Sequence, residues 1–79
     1  MADAPELSET ELAVLQAVHA EGGADLYALS RAVGAGPRAV QEAVQSLSLQ
    51  TLVLVVEDGV KVYCTPDGDE MARAEQHRT

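Results

Sequence analysis

Residues 58–68 (DGVKVYCTPDG) constrain the fold of this chain more than any other segment. The Asp-Gly pair at their start favours a tight type I′ turn, because both residue types tolerate positive φ angles. In residues 60–64 the apolar side chains of Val60, Val62 and Cys64 alternate with Lys61 and Tyr63, which predicts a half-buried strand. The Thr-Pro pair that follows is typical of a helix N-cap and a first helical residue. With the β-branched run at 52–56, the segment predicts a β-hairpin followed directly by a short helix.

Three helical segments precede this hairpin. A capping-box pattern, Ser-Glu-Thr-Glu at 8–11, begins the first helix, and a Gly-Gly pair at 22–23 ends it. The second helix is expected at about 25–33, and the third begins at Pro37. Only about four residues, two of them glycines, join the second helix to the third. A short, glycine-containing link of this kind forces a sharp angle and indicates a helix-turn-helix.

The third helix has two distinct faces. Its apolar stripe, which we expect to be buried, consists of Val40, Val44 and Leu47. At 100° per residue, the opposite face is centred on Arg38, Glu42 and Gln45, with Gln41 on one flank. This polar face is therefore available to a partner.

The last helix is short. Acidic residues in its first turn suit the positive end of the helix dipole. We expect Met71 and Ala74 to make its contacts with the core and residues 76–79 to fray. The 79 residues are expected to form one domain over 1–79, with an ordered core at about 7–75.

Thirteen acidic residues against five basic ones give a formal charge of −8. This balance is unusual for a protein that binds nucleic acid, because neutralising phosphates supplies most of the sequence-independent affinity. An acidic surface can also serve as a general solvation device in a high-salt cytoplasm. No apolar run approaches the ~18 residues of a membrane span, and the N-terminus lacks the pattern of a signal peptide. We therefore expect a cytoplasmic protein with no membrane partner.

No group of residues in the sequence predicts a metal-binding or catalytic site. The two histidines and Cys64 share no metal-ligand spacing, and no nucleophile-base pair or phosphate-binding loop is recognisable. His19 is interpreted as a helix-terminal histidine and the lone Cys64 as a small buried apolar residue. The acidic cluster at 67–70 lacks the twelve-residue pattern of a calcium loop. We expect no enzymatic activity and no cofactor.

Residues 62–68 and 47–53 resemble the corresponding passages of winged helix-turn-helix transcriptional regulators, especially the MarR and PadR-like groups. The resemblance covers about residues 7–74. It implies an α+β fold: a winged helix-turn-helix with three helices, a β-hairpin wing and a short C-terminal helix. Thr51 stands where the family usually has glycine, which predicts a different turn into the strand. The last helix, of about ten residues, is too short to be one of the family's long dimerising helices, so a dimer would need another surface.

The resemblance also implies a function. Helix 37–49 would be the recognition helix that enters the major groove of double-stranded DNA, and residues 57–61 would be the wing tip. Arginine can pair with guanine through two hydrogen bonds, and glutamine can do so with adenine. The expected DNA-binding residues are Arg38, Gln41, Gln45, Lys61 and Arg31. Transcriptional regulators of this kind read two-fold sites as homodimers.

A second interpretation is left open by the charge. The chain could be an acidic winged-helix module that binds a protein and does not bind DNA. The exposed strand edge or the face of the third helix would then hold the partner, and the −8 charge would steer a basic partner towards it.

Overall fold

The computed structural model describes residues 7–56 and 60–76. Four helices and three strands follow one another along the chain, as the fold class predicts, with one strand more than expected. Their bounds are α1 (Glu9–Glu21), β1 (Ala24–Asp25), α2 (Leu26–Val33), α3 (Pro37–Leu49), β2 (Val53–Val56), β3 (Lys61–Cys64) and α4 (Pro66–Gln76).

The capping box at the start of α1 is confirmed. The Glu11 amide donates to the Ser8 hydroxyl at 3.1 Å, and the Ser8 amide donates to the Glu11 carboxylate at 2.9 Å. These two bonds satisfy donors that a helix N-terminus would otherwise leave without partners. The start of α1 is therefore fixed by local sequence alone.

The core is aliphatic. It gathers side chains from all four helices and all three strands, and its described buried members are Val14, Leu15, Val18, Ala24, Leu29, Val40, Ala43, Val44, Leu47, Leu52, Val53, Val62 and Ala72. The predicted stripe of α3 is confirmed, with Ala43 added to it. Helix α1 lies at the centre and contacts each of the other three helices.

The sheet is antiparallel in the order β1-β3-β2. In β2 and β3, Val55 pairs with Val62 and Leu54 pairs with Tyr63. Because side chains alternate along a strand, the first pair faces the core and the second faces outwards. Because β2 is the last strand in the order β1-β3-β2, it forms one edge of the sheet.

Strand β1 was not predicted. It consists of two residues, Ala24 and Asp25, which pair with Val62 and Lys61 of β3. The Asp25 carboxylate also accepts a 2.7 Å hydrogen bond from the Ala28 amide and so caps α2. The sequence showed only the cap, because two residues are too few for a strand pattern. Helix α2 accordingly begins at Leu26, one residue later than expected.

The helix-turn-helix is confirmed. Helix α2 ends at Gly34, whose φ of 77° lies in the left-handed region that favours glycine. The Ser30 hydroxyl donates to the Ala35 carbonyl at 2.6 Å and ties the turn to the last turn of α2. Only residues 34–36 separate the two helices, so α3 is held at a fixed angle against α2.

Helix α4 contacts the core through a different residue from the one expected. Ala72 is fully buried, whereas Ala74 is exposed. The buried face of α4 passes through Gly68 and Ala72, four residues apart, because Gly68 lies against the backbone of Leu52. That contact sets the rotation of the helix, and it could not be predicted because it joins residues sixteen positions apart. Met71 is half-buried against the core, as predicted.

Two predicted features lie outside the described residues: the turn at 57–59 with most of the wing tip, and most of the tail at 76–79 that was expected to fray. Residue 76 itself is the last residue of α4. Among the residues that the structure does describe, no helix is long and apolar enough to cross a membrane.

Candidate nucleic-acid interface

The polar face of α3 is exposed, as predicted. Arg38 lies in its first turn, and Gln41 and Gln45 follow on successive turns, all three exposed to solvent. Their anchorage comes from the other side of the helix, where Val40 and Leu47 are fully buried. The result is a rigid helix that presents one guanidinium and two carboxamides in a row.

Glu42 lies towards one flank of this face. It lines a cleft of about 260 Å³ between α3 and the start of α1, together with Ser8, Thr10, Glu11, Ala39 and Ala43. A carboxylate near a helix N-terminus is stabilised by the helix dipole. The three predicted DNA-binding residues of α3 do not line this cleft. Glu42 therefore lies between this cleft and the exposed row of α3, one helical turn after Arg38.

Glu11 in the same cleft is also held as a carboxylate. Hydrogen bonding from the Ser46 hydroxyl, and then from the Ser8 amide, lowers the pKa of Glu11 below its ordinary value. Because Ser46 belongs to α3, this contact joins the start of α1 to α3.

The two remaining predicted residues occupy different parts of the molecule. Arg31 is exposed in the last turn of α2, close in sequence to the turn that leads into α3. Lys61 is half-buried at the start of β3, where it pairs with Val56 on one side and Asp25 on the other. Lys61 therefore has an acidic residue directly across the strand pair, although the Asp25 carboxylate accepts from the Ala28 amide.

Charge is unevenly distributed among the elements. Helices α2 and α3, residues 26–49, contain two cations, Arg31 and Arg38, and one anion, Glu42, for a formal charge of +1. Helix α1 contains three acidic residues and no lysine or arginine, and α4 contains four acidic residues and one arginine. The excess negative charge is therefore carried outside the helix-turn-helix. At physiological salt the screening length is ~8 Å, so distant carboxylates affect the α3 face weakly.

Three titratable residues, His19, Cys64 and Asp69, lie close together at the junction of α1 and α4. The His19 Nδ1 atom lies 2.8 Å from an Asp69 carboxylate oxygen, and this contact lowers the pKa of Asp69. The half-buried Cys64 thiol donates a long hydrogen bond of 3.8 Å to the Leu15 carbonyl. Burial, with Asp69 nearby, raises the pKa of Cys64 to about 11. The nucleophilic form of cysteine is the thiolate, and a thiol with this pKa stays protonated. The three residues therefore do not form a nucleophilic site.

Sequence reasoning missed the contact between His19 and Asp69, although it placed His19 correctly at the end of α1. Fifty residues separate the pair, so no spacing rule could have joined them. Among the described residues, no cluster of three or more His, Cys, Asp or Glu side chains could hold a metal ion.

No protein-family model matches this sequence, and no curated protein matches it significantly. Solved structures do match. The regulator BpsR of Bordetella bronchiseptica, whose DNA binding is regulated by 6-hydroxynicotinic acid, has 27% identity and a TM-score of 0.80, over 89% of this chain and 57% of that one.

Two further matches share the fold. The transcriptional regulator Tm0710 of Thermotoga maritima has 19% identity and a TM-score of 0.80, over 91% of this chain and 53% of that one. The MarR-family regulator SPO1453 of Silicibacter pomeroyi has 21% identity and a TM-score of 0.74, over 82% and 48%. This chain thus spans about half the length of the structures that it matches. The resemblance to MarR-type regulators is confirmed, and the fold of this chain is their winged helix-turn-helix.

Proposed function

We propose that this chain is a DNA-binding transcriptional regulator that places α3 in the major groove of double-stranded DNA. In this proposal Arg38, Gln41 and Gln45 contact base edges. The observation that carries it is the row of exposed side chains on α3 within a helix-turn-helix of formal charge +1, in a chain of charge −8. The likeness to regulators, including one whose DNA binding is regulated, supports the same function.

Phosphate contacts fall to the remaining cations in this proposal. Arg31, in the last turn of α2, and Lys61, at the start of β3, would contact the phosphates and position the DNA backbone. With Arg38, they give at most three cations per chain. Since each neutralised phosphate contributes about −0.9 to the slope of log K against log salt, we expect a shallow slope of about −3 per chain.

The regulator would act in the cytoplasm, as a homodimer on a two-fold site, without a cofactor or an enzymatic reaction. The ordered core that the sequence predicts, about residues 7–75, would be its DNA-binding unit.

The proposal is tested by selection from a randomised duplex pool at low salt, followed by titration of the enriched duplex at several salt concentrations. We expect an enriched sequence and a shallow, negative salt slope. Failure to retain any duplex, even at ~20 mM salt, would contradict the proposal.

The second candidate is an acidic protein-interaction module. The acidic residues of α1 and α4 favour it, because they would attract a basic partner. It predicts that reversing the charge of Glu42 weakens the complex with a basic protein while duplex DNA never binds. Enrichment of a duplex in the selection would overturn this candidate.

A further inference from the structure

Strand β2 is an unprotected edge. Among the described residues, β3 pairs with one side of β2 and no strand pairs with the other. Natural edge strands are commonly blunted by lysine, proline or inward charges, because free backbone groups recruit other strands. Strand β2 contains only valine and leucine. It therefore offers free backbone groups with none of these safeguards.

Apolar surface surrounds this edge. Leu49, the last residue of α3, is 87% exposed, and Leu54 of β2 is 57% exposed. Between α3 and β2 lies a mainly apolar groove of about 390 Å³, lined by Gln45, Ser48, Leu49 and Val55. Exposed apolar side chains thus lie on both sides of the β2 edge, Leu49 on the groove side and Leu54 on the outer face, and such exposure marks an interaction surface.

The same surface is free of charge. Residues 43–56 contain no Asp, Glu, Lys, Arg or His, although charged residues make up 23% of the chain. Glu42 precedes this run and Glu57 follows it. The uncharged run comprises the second half of α3, the turn and all of β2.

We propose that two copies of this chain pair through the outer edges of β2, antiparallel about a two-fold axis, with Leu49 of each copy packed near the groove of the other. We call this surface, formed by Leu49, Leu54, Val55 and the groove residue Ser48, the β2 edge patch; Gln45 lines the groove on the α3 side and borders the patch. The inference rests on the proposed function in one respect: it supplies the dimer that a two-fold DNA site requires.

Charge identifies a second copy as the partner. Two chains of −8 repel each other wherever acidic elements would meet, and the β2 edge patch is where they can approach without burying like charges. A basic partner would gain nothing from an uncharged surface and would favour the acidic α1 and α4 instead. Antiparallel pairing of a strand with itself also satisfies two-fold symmetry, because each residue meets the same surface on the other copy.

This dimer leaves the start of the recognition helix free. At 1.5 Å per residue, Arg38 and Gln41 lie about 16 and 12 Å along α3 from Leu49. Contact at the end of the helix therefore leaves both side chains uncovered, with Gln45 at the border of the β2 edge patch.

The test is the mass of the full chain in solution, measured by analytical ultracentrifugation over a range of concentrations. The variants are Leu49→Glu and Leu54→Glu, and both alter exposed side chains that the fold does not need buried. Tyr27→Glu is the matched control, because Tyr27 of α2 is 77% exposed but lies outside the β2 edge patch. Circular dichroism of each variant establishes that it is folded.

We expect the wild type and Tyr27→Glu to dimerise equally, and each patch variant to weaken the dimer at least tenfold. An equimolar mixture of Leu54→Glu and Leu54→Lys should recover a heterodimer, because the two-fold axis brings the opposite charges together. A wild-type monomer at 100 µM, or patch variants that dimerise like the wild type, would overturn the inference.

The two proposals fail separately. A monomer that still enriches a duplex contradicts the β2 edge dimer and leaves the proposed function standing. A dimer that Leu54→Glu dissociates, but that retains no duplex, supports the β2 edge patch and contradicts DNA binding.

Discussion

Gly68 lies directly against the backbone of Leu52, so close that a β-carbon at position 68 would overlap the Leu52 carbonyl. That same carbonyl accepts a 3.1 Å hydrogen bond from the Thr65 amide. The Thr65 hydroxyl donates to the Thr51 carbonyl at 2.7 Å and accepts from the Gly68 amide at 3.0 Å. The start of α4 is thus locked onto the turn that leads from α3 into β2.

Gly68→Ala should destabilise the fold by about 2–3 kcal/mol, because the added methyl group meets backbone that cannot move without shifting β2. Urea unfolding monitored by circular dichroism measures the change. Glu70→Ala, at an exposed position in the same helix, is the control and should stay within ~0.5 kcal/mol of the wild type. Equal stabilities for the two variants would show that the contact is not tight.

Thr51→Gly should stabilise the protein by about 1 kcal/mol. Thr51 has a φ of 57°, and the left-handed conformation costs an L-residue roughly 1–2 kcal/mol, whereas glycine adopts it freely. The comparison is with Thr51→Ala, which removes the hydroxyl but keeps a β-carbon in the same conformation. If both variants gained equally, the strain would lie in the side chain of Thr51 and not in its backbone.

The contact between His19 and Asp69 should make stability depend on acid pH. Because the pKa of Asp69 is lower in the folded chain, its stabilisation is complete above the ordinary value of 3.8 and is lost as pH falls through the lower, folded value. Asp69→Asn should therefore destabilise the protein more at pH 6 than at pH 3, by a modest amount since the Asp69 side chain is 42% exposed.

A double-mutant cycle isolates this pair. In a His19→Ala background the hydrogen bond that lowers the Asp69 pKa is gone, so Asp69→Asn should have a smaller effect at pH 6 than it has in the wild type. Additive effects of the two substitutions would mean that the contact contributes nothing.

Cys64 should react slowly with thiol reagents while the protein is folded. A pKa of about 11 leaves roughly one thiolate per thousand thiols at pH 8, against about one in ten for the ordinary value of 9.0. We expect the rate of reaction with a disulfide reagent to be at least ~100-fold lower in the native chain than in urea. Equal rates would show that the thiol is neither buried nor protonated.

Local signals predicted most of the fold because they depend on neighbouring residues. The Ser8 capping box, the Gly34 helix end and the stripe of Val40, Val44 and Leu47 all became structure as expected. Strand β1 did not follow from such a signal, because its evidence is a pairing with β3 more than thirty residues away. The rotation of α4 likewise depends on the distant Leu52.

The residues of the candidate site also divide into those that a local pattern predicted and those whose position depends on tertiary contacts. Helical periodicity alone identified the exposed row of Arg38, Gln41 and Gln45. Periodicity placed Glu42 on the same face, and only the packing of α1 beside α3 shows it lining a cleft on one flank. The position of Lys61 opposite Asp25 required the sheet register. What remains a prediction is that these side chains touch DNA.

One comparison tests that prediction most directly: the affinities of Arg38→Ala and Arg73→Ala for the selected duplex, measured by fluorescence anisotropy at one low salt concentration. Both substitutions remove an exposed arginine, one from α3 and the other from α4, so they change the net charge equally. Arg38→Ala should weaken binding by ~5–150-fold, the range of about 1–3 kcal/mol for an arginine-guanine pair, while Arg73→Ala should stay within ~2-fold of the wild type. Equal losses from the two substitutions would contradict recognition through α3.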